Sequence, residues 1–221
     1  MRNIFRMLFT GTLGLVSYAL FVFVPAGTPN YWQAWVLLAV IATTGWVSSI
    51  YFLRTNPEVL ERRIPTAESR PFQKVVVSGV FLLGAAMLIV SALDHRFGWS
   101  AVPTAMSIVG NILVAIGITI VQVVLVQNSH AAVTVRVEAG QQLVSTGLYG
   151  LVRHPMYTCN AFLLVGVPLA LGSYWGLIFI VPSVLVFAFR IHDEEALLQE
   201  ELAGYREYMQ KVRYRLVPGV W

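Results

Sequence analysis

Two short polar runs hold the side chains that could do chemistry: Arg153-His154-Pro155-Met156-Tyr157 and Arg190-Ile191-His192-Asp193-Glu194-Glu195. Guanidinium and imidazole donors beside a phenol and several carboxylates are groups that can bind a polar ligand. Both runs border hydrophobic segments, where an ionised side chain costs free energy unless something holds it. The proline after His154 biases that histidine away from helical geometry, so the Arg-His pair is expected on a turn. Each run alone also fits a plainer reading. Arginines snorkel at helix ends, and an acidic triplet can be a solvated helix start favoured by the macrodipole. The two runs flank one short apolar hairpin, and that placement brings them together and points to a site.

The elements that position these runs follow from composition. Of 221 residues, 57% are hydrophobic and only 12% charged, with a mean hydropathy of +0.70. Soluble domains carry about 25% charged residues, so this chain lacks the polar surface to cover a globule in water. It reads as an all-α integral membrane protein. Apolar stretches at Met7–Val24, Trp32–Leu53, Val75–Leu93 and Thr104–Val126 are long enough to span. Met156–Leu171 and Tyr174–Arg190 follow, divided by Gly172-Ser173. At 1.5 Å per residue the fifth stretch reaches only about 24 Å, short of a full crossing. The expected architecture is four transmembrane helices plus a C-terminal helical hairpin, five to six membrane segments in all, then a cytoplasmic C-terminal helix. Pro168 and Pro182 should bend or interrupt the hairpin. Met1–Arg6 leads into the first apolar run without a convincing cleavage site and reads as a retained signal-anchor. No repeat or linker divides the chain, so residues 1–221 are read as one domain.

Charge placement gives an orientation. Four spans and a hairpin put both termini, the 54–74 loop and the 127–155 loop on one side. Of the 15 Lys and Arg residues only Arg96 falls on the other side, and the positive-inside rule makes the rich side cytoplasmic. Beyond the fourth span, Glu138, Asp193, Glu194, Glu195, Glu200, Glu201 and Glu207 join them there. A site between the 127–155 and 190–221 stretches would face the cytoplasm yet open sideways into the bilayer.

Several chemistries are excluded. The single cysteine, Cys159, allows no intrachain disulfide and no Cys-rich metal centre. Four histidines, with His95 on the far side, are too few for a membrane di-iron site, and no metal is expected. The G-x-G-x-x-G, P-loop, H-E-x-x-H and G-x-S-x-G patterns do not occur. No nucleic-acid partner is expected.

The series Gly147, Tyr149, Arg153-His154-Pro155-Met156-Tyr157, Glu194-Glu195, Gly204-Tyr205, Tyr208, Arg215-Leu216 and Pro218 resembles the isoprenylcysteine carboxyl methyltransferase family. More loosely, it is similar to the membrane phospholipid N-methyltransferases. The resemblance covers roughly residues 105–221. It implies an S-adenosylmethionine site without a Rossmann domain, within about residues 127–221. Carried over by position, the cofactor would be held by Gln141, Gln142, Leu143, Val144, Tyr149, Arg153, His154, Pro155, Met156, Tyr157 and Glu194. Arg190 looks like the family's substrate-carboxylate arginine, and Arg190, Glu194 and Glu195 form the implied catalytic set. Gln141 stands where members often have His, and Cys159 where they usually have Gly.

These residue types suit that chemistry. A carboxylate such as Glu194 can accept from ribose hydroxyls or an ammonium group. A tyrosine face can stabilise a sulfonium by about 0.5–2 kcal/mol. Leu143 and Val144 offer an apolar wall, and Tyr205 and Tyr208 either close the pocket or pack the tail on the core. Methyl transfer to a carboxylate needs no base, because the nucleophile is already ionised; alignment and exclusion of water supply much of the rate. Arg190 could hold the acceptor bidentately. The expected acceptor is a lipophilic small molecule or a lipidated substrate drawn from among the membrane lipids, most simply an isoprenylcysteine-like carboxylate. Alternatives are a phospholipid amine, for which Glu195 would serve as base, a small thiol, or a nicotinamide-dependent reductase of the sterol type. A scaffold or transporter would leave both polar runs without a purpose.

Overall fold

The structure, a computed structural model, describes residues 2–62, 71–129 and 140–221. Apolar runs in a bilayer must satisfy their own backbone groups, and here they do so as helices. These are α1 (Arg2–Ala26), α2 (Trp32–Thr55), α3 (Pro57–Arg62), α4 (Pro71–Phe97), α5 (Thr104–Gln127), α6 (Pro155–Ala170), α7 (Ile180–Glu201) and α8 (Tyr205–Lys211). Short 3-10 turns, Gly147–Gly150 and Trp175–Phe179, lead into α6 and α7. Among the described residues there is no strand. Also among the described residues, five stretches are long and apolar enough to cross a membrane: Phe9–Ala26, Trp32–Thr55, Pro71–Phe97, Thr104–Gln127 and Trp175–Glu201. The remaining apolar helix, α6, has only 16 residues. The chain is an all-α, multi-pass integral membrane protein, with the expected four spans and a hairpin of one short and one long arm.

One detail differs from the sequence expectation. The second arm runs on through Glu201, so the run Arg190–Glu195 lies in the middle of α7 and is not a helix start. Pro168 stands inside the last turn of α6, where its missing N–H costs one helical bond, and Pro182 is the third residue of α7, where the N–H is one of the spare first-turn donors. The 54–74 loop contains α3, while residues 63–70 and 130–139, with Arg63, Arg70, Arg136 and Glu138, lie outside the described residues.

The helices α5 and α6 cross backbone to backbone. A Cβ on Gly110 would fall 2.2 Å from the Ala170 nitrogen, and one on Gly166 would fall 2.9 Å from the Gly110 oxygen. Small residues permit such close crossings where no hydrophobic effect drives helices together. Cys159 is fully buried on this seam, and its carbonyl oxygen would lie 3.1 Å from a Cβ on the facing Gly117.

The end of the hairpin away from the two polar runs is pinned. Buried Asp94 accepts from the Ser100 amide (2.6 Å), the Ser100 hydroxyl (2.7 Å) and the Ser173 hydroxyl (2.6 Å). Tyr31 stacks on His95 with ring centres 3.7 Å apart and donates its hydroxyl to the Leu171 carbonyl. With its far end fixed on α2 and α4, α6 has a fixed near end as well.

Candidate functional site

The turn before α6 is built by the exit of α5. Gly147 has φ +61°, which favours glycine, and a Cβ there would also lie 2.5 Å from the end of the Gln127 side chain and displace it. That Gln127 accepts from the Leu148 amide at 3.0 Å, and Asn128 donates to the Tyr149 hydroxyl at 3.1 Å. His154 then occupies the N-cap of α6 with φ −123° and ψ 62°, and Pro155 is the first helical residue. The Arg-His pair thus lies on a turn, as Pro155 implied.

Arg153 does not point into a cleft. Its Nε donates to Glu195 Oε1 at 2.7 Å, and its Nη1 donates to the carbonyls of Val212 and Arg213, both at 2.9 Å. Arg215 donates to Glu195 Oε2 at 2.9 Å, and His154 Nε2 lies 3.2 Å from Oε1. Glu195, only 2% exposed, thus has both oxygens engaged by cationic or imidazole groups. The tail also bonds the turn through its backbone. The amides of Arg153 and His154 donate to Tyr214 and Arg215, and Thr158 donates to Leu216 at 2.8 Å. Glu195 and Arg153 are therefore the clasp between α7, the turn and the C-terminal tail. A proton-accepting role for Glu195 would require breaking that clasp.

Arg190 and Glu194 form the other face. They lie one helical turn apart on α7, and the Tyr157 hydroxyl links them, accepting from Arg190 Nε at 2.7 Å and donating to Glu194 Oε2 at 2.7 Å. Glu194 Oε1 is 3.9 Å from His154 Nδ1, and the Glu194 side chain keeps 25% exposure. Arg190 is buried and also donates to the Gln73 carbonyl at 3.0 Å, while the Gln73 amide nitrogen donates to Asp193. Neither the snorkelling arginine nor the solvated acidic triplet survives: both groups are locked into a bonded chain within the protein.

The remaining expected residues divide. Leu143 packs against the cluster of Leu202, Tyr205, Tyr208 and Val212 under α8, while Val144 and Gln141 are half-buried and Gln142 is exposed. Tyr149 accepts at its carbonyl from the Tyr208 hydroxyl (2.7 Å), which closes α8 over the turn. Burial pushes the Tyr149 phenol up to about 12, so it remains a neutral donor. Pro155 is buried at the helix start. Met156 faces away, packed beside Phe52, Val59 and Leu125 of α2, α3 and α5.

Two participants have no signal in the runs themselves. Gln73 is a lone amide at the start of an apolar helix, and Arg215 is one of several tail cations. Arg215 belongs to the series that carries the resemblance, without a role there; only a map of what Gln73 touches singles that residue out.

The Tyr205 hydroxyl is buried and has no hydrogen-bond partner among the described residues. Burial, and then the charges of Glu195 and Glu194, push its phenol above the usual range, so it is an uncharged donor held in the field of both carboxylates. An orphaned donor beside the part-exposed Glu194 fits a cofactor that carries hydroxyls and an amino-acid zwitterion.

The sequence pattern of the phospholipid methyltransferase family matches residues 105–203, the stretch that contains α5, the turn, the hairpin and Arg190–Glu195. This match supports reading the chain as a membrane methyltransferase. A Delta(14)-sterol reductase from Mus musculus is 32% identical over 95 residues, covering 40% of this chain. The chain spans 22% of that relative's length.

Proposed function

We propose that this protein is an S-adenosylmethionine-dependent methyltransferase of the membrane, acting on a lipophilic acceptor, and most simply on the carboxylate of an isoprenylcysteine-like substrate. The observation that carries this reading is the Arg190–Tyr157–Glu194 bridge, which joins an anion-binding guanidinium to a part-exposed carboxylate through one phenol. The cofactor would lie against Gln141, Gln142, Leu143, Val144, Tyr149, His154, Tyr157 and Glu194, under the orphaned Tyr205 hydroxyl. When bound it supplies a sulfonium methyl: a carboxylate oxygen gains the methyl as the carbon–sulfur bond breaks, opposite charges cancel and no proton moves. Arg190 orients the acceptor carboxylate, the task its planar fork suits. Tyr157 holds Arg190 at a set distance from Glu194, and the bilayer around α4 and α7 keeps water from the acceptor. Glu195 and Arg153 brace the tail and are positioning residues. The cationic side faces the cytoplasm in this reading, with both termini and the site on it.

The sterol reductase likeness keeps a second reading in view, a reductase using a reduced nicotinamide. Calorimetry on the detergent-solubilised protein separates the two. Saturable binding of S-adenosylmethionine, or of its demethylated product, is expected. Binding of a nicotinamide cofactor with none of the sulfonium compound would overturn the methyltransferase.

A further inference from the structure

Gln73 belongs to α4, outside every run the function above uses, yet it is completely buried and bonded at both ends of its amide. Its carbonyl accepts from Arg190 Nη1 at 3.0 Å and its amide nitrogen donates to Asp193. Those partners fix which way the amide points, because the reverse would set donor against guanidinium and oxygen against carboxylate. The result is one bonded chain, Asp193–Gln73–Arg190–Tyr157–Glu194, in which Arg190 is gripped on one side by α4 and on the other by α6.

We propose that Gln73 is the positioning residue for acceptor recognition: it sets the Arg190 guanidinium, and so brings α4 into choosing the acceptor while leaving the cofactor to the other elements. This rests on the reading of Arg190 as the acceptor-carboxylate arginine. The side chain that does this is narrowly specified. Glutamate would put a charge against Asp193 and would compete with the acceptor for Arg190. Leucine fills the space but leaves both partners without their bond, and asparagine is one methylene too short to span them.

The test is methyl transfer to N-acetyl-S-farnesylcysteine in detergent, with S-adenosylmethionine affinity measured separately by calorimetry. Gln73→Leu and Gln73→Glu should each raise KM for the acceptor about tenfold or more while cofactor Kd stays within about twofold. Glutamate keeps the shape and polarity, so it serves if the leucine variant folds poorly. In an Arg190→Lys background the same Gln73→Leu change should add less than about twofold, because Gln73 acts through the guanidinium. A packing role alone would weaken cofactor and acceptor together and add fully in the Arg190→Lys background. Either result overturns the assignment, as does an unchanged acceptor KM. The wild-type arm separates this from the parent reading. If the wild-type protein methylates the acceptor and only the Gln73 variants fail to respond, this inference alone falls. If the wild-type protein neither binds the cofactor nor transfers methyl, both fall.

Discussion

Replacing Arg153 with alanine should release the C-terminal tail. Its side chain, 6% exposed, makes one ionic bond to Glu195 at 2.7 Å and two bonds to tail carbonyls at 2.9 Å. Glu195 keeps Arg215 and His154, so the loss is that of a charged hydrogen bond, about 1.5–3 kcal/mol, rather than that of a pair left uncompensated. At about 1.4 kcal/mol per tenfold, that loss raises the population of detached tail roughly 10- to 10²-fold. Lys211 and Arg213 are exposed, so the bonds after them are open to trypsin once the tail lifts. Cleavage that is slow relative to reclosing reports that population directly. Limited trypsinolysis read by mass spectrometry should therefore show cutting after Lys211 and Arg213 at least about tenfold faster in Arg153→Ala than in the wild type. Arg153→Lys should recover little, because a point charge cannot serve three directional bonds. Arg190→Ala should leave the tail protected. Equal cleavage rates in Arg153→Ala and the wild type would refute the clasp.

Arg190→Ala should cripple methyl transfer while S-adenosylmethionine affinity holds, whereas Glu194→Ala should weaken that affinity by about 1.5–3 kcal/mol in calorimetry; two silent substitutions would move the active site elsewhere. Gly110→Ala, whose Cβ would lie 2.2 Å from a backbone nitrogen, should lower stability in detergent by about 1–3 kcal/mol. Gly84→Ala, which meets nothing within 4 Å, should instead raise stability by about 0.4–1 kcal/mol, and matching melting curves would count against the seam. Buried Tyr149 is raised from its ordinary value near 10 to about 12, so the stability it lends is full below pH 10 and lost as pH rises through 12. Tyrosinate absorbance should show a late step that coincides with unfolding; Tyr149 ionising near 10 in the intact fold would contradict this. Reporter fusions should read cytoplasmic at both termini and external at residues 25–31, and an external terminus would reverse the orientation proposed for the site.

The spans were legible because hydropathy over twenty residues leaves few alternatives, and the short α6 was legible from its length. The meeting of the two polar runs was legible too, since a hairpin returns its ends to one place. Only the resemblance told Glu194 from Glu195; the residue pattern itself could not. Neighbours on a helix point about 100° apart, and only the rotation of α7 decides which one meets Tyr157 and which meets the tail. Gln73 was hidden for another reason. A single amide in an apolar helix has no period to reveal it, and its partners lie on α7, more than a hundred residues along the chain.

The brevity of α6 has one more consequence. Sixteen residues rise roughly 24 Å, so with the far end, tied by Tyr31 and Asp94, at one boundary of a hydrocarbon layer about 30 Å thick, the helix would start several ångströms inside the other. The turn that caps it would then be recessed, a bay whose floor is oil and whose mouth is water. For the proposed reaction the protein would work as a phase-transfer catalyst, joining a water-borne donor to an oil-borne acceptor without either crossing the boundary. Its turnover would then follow the mole fraction of acceptor in the bilayer, and adding inert lipid at constant total acceptor would slow it.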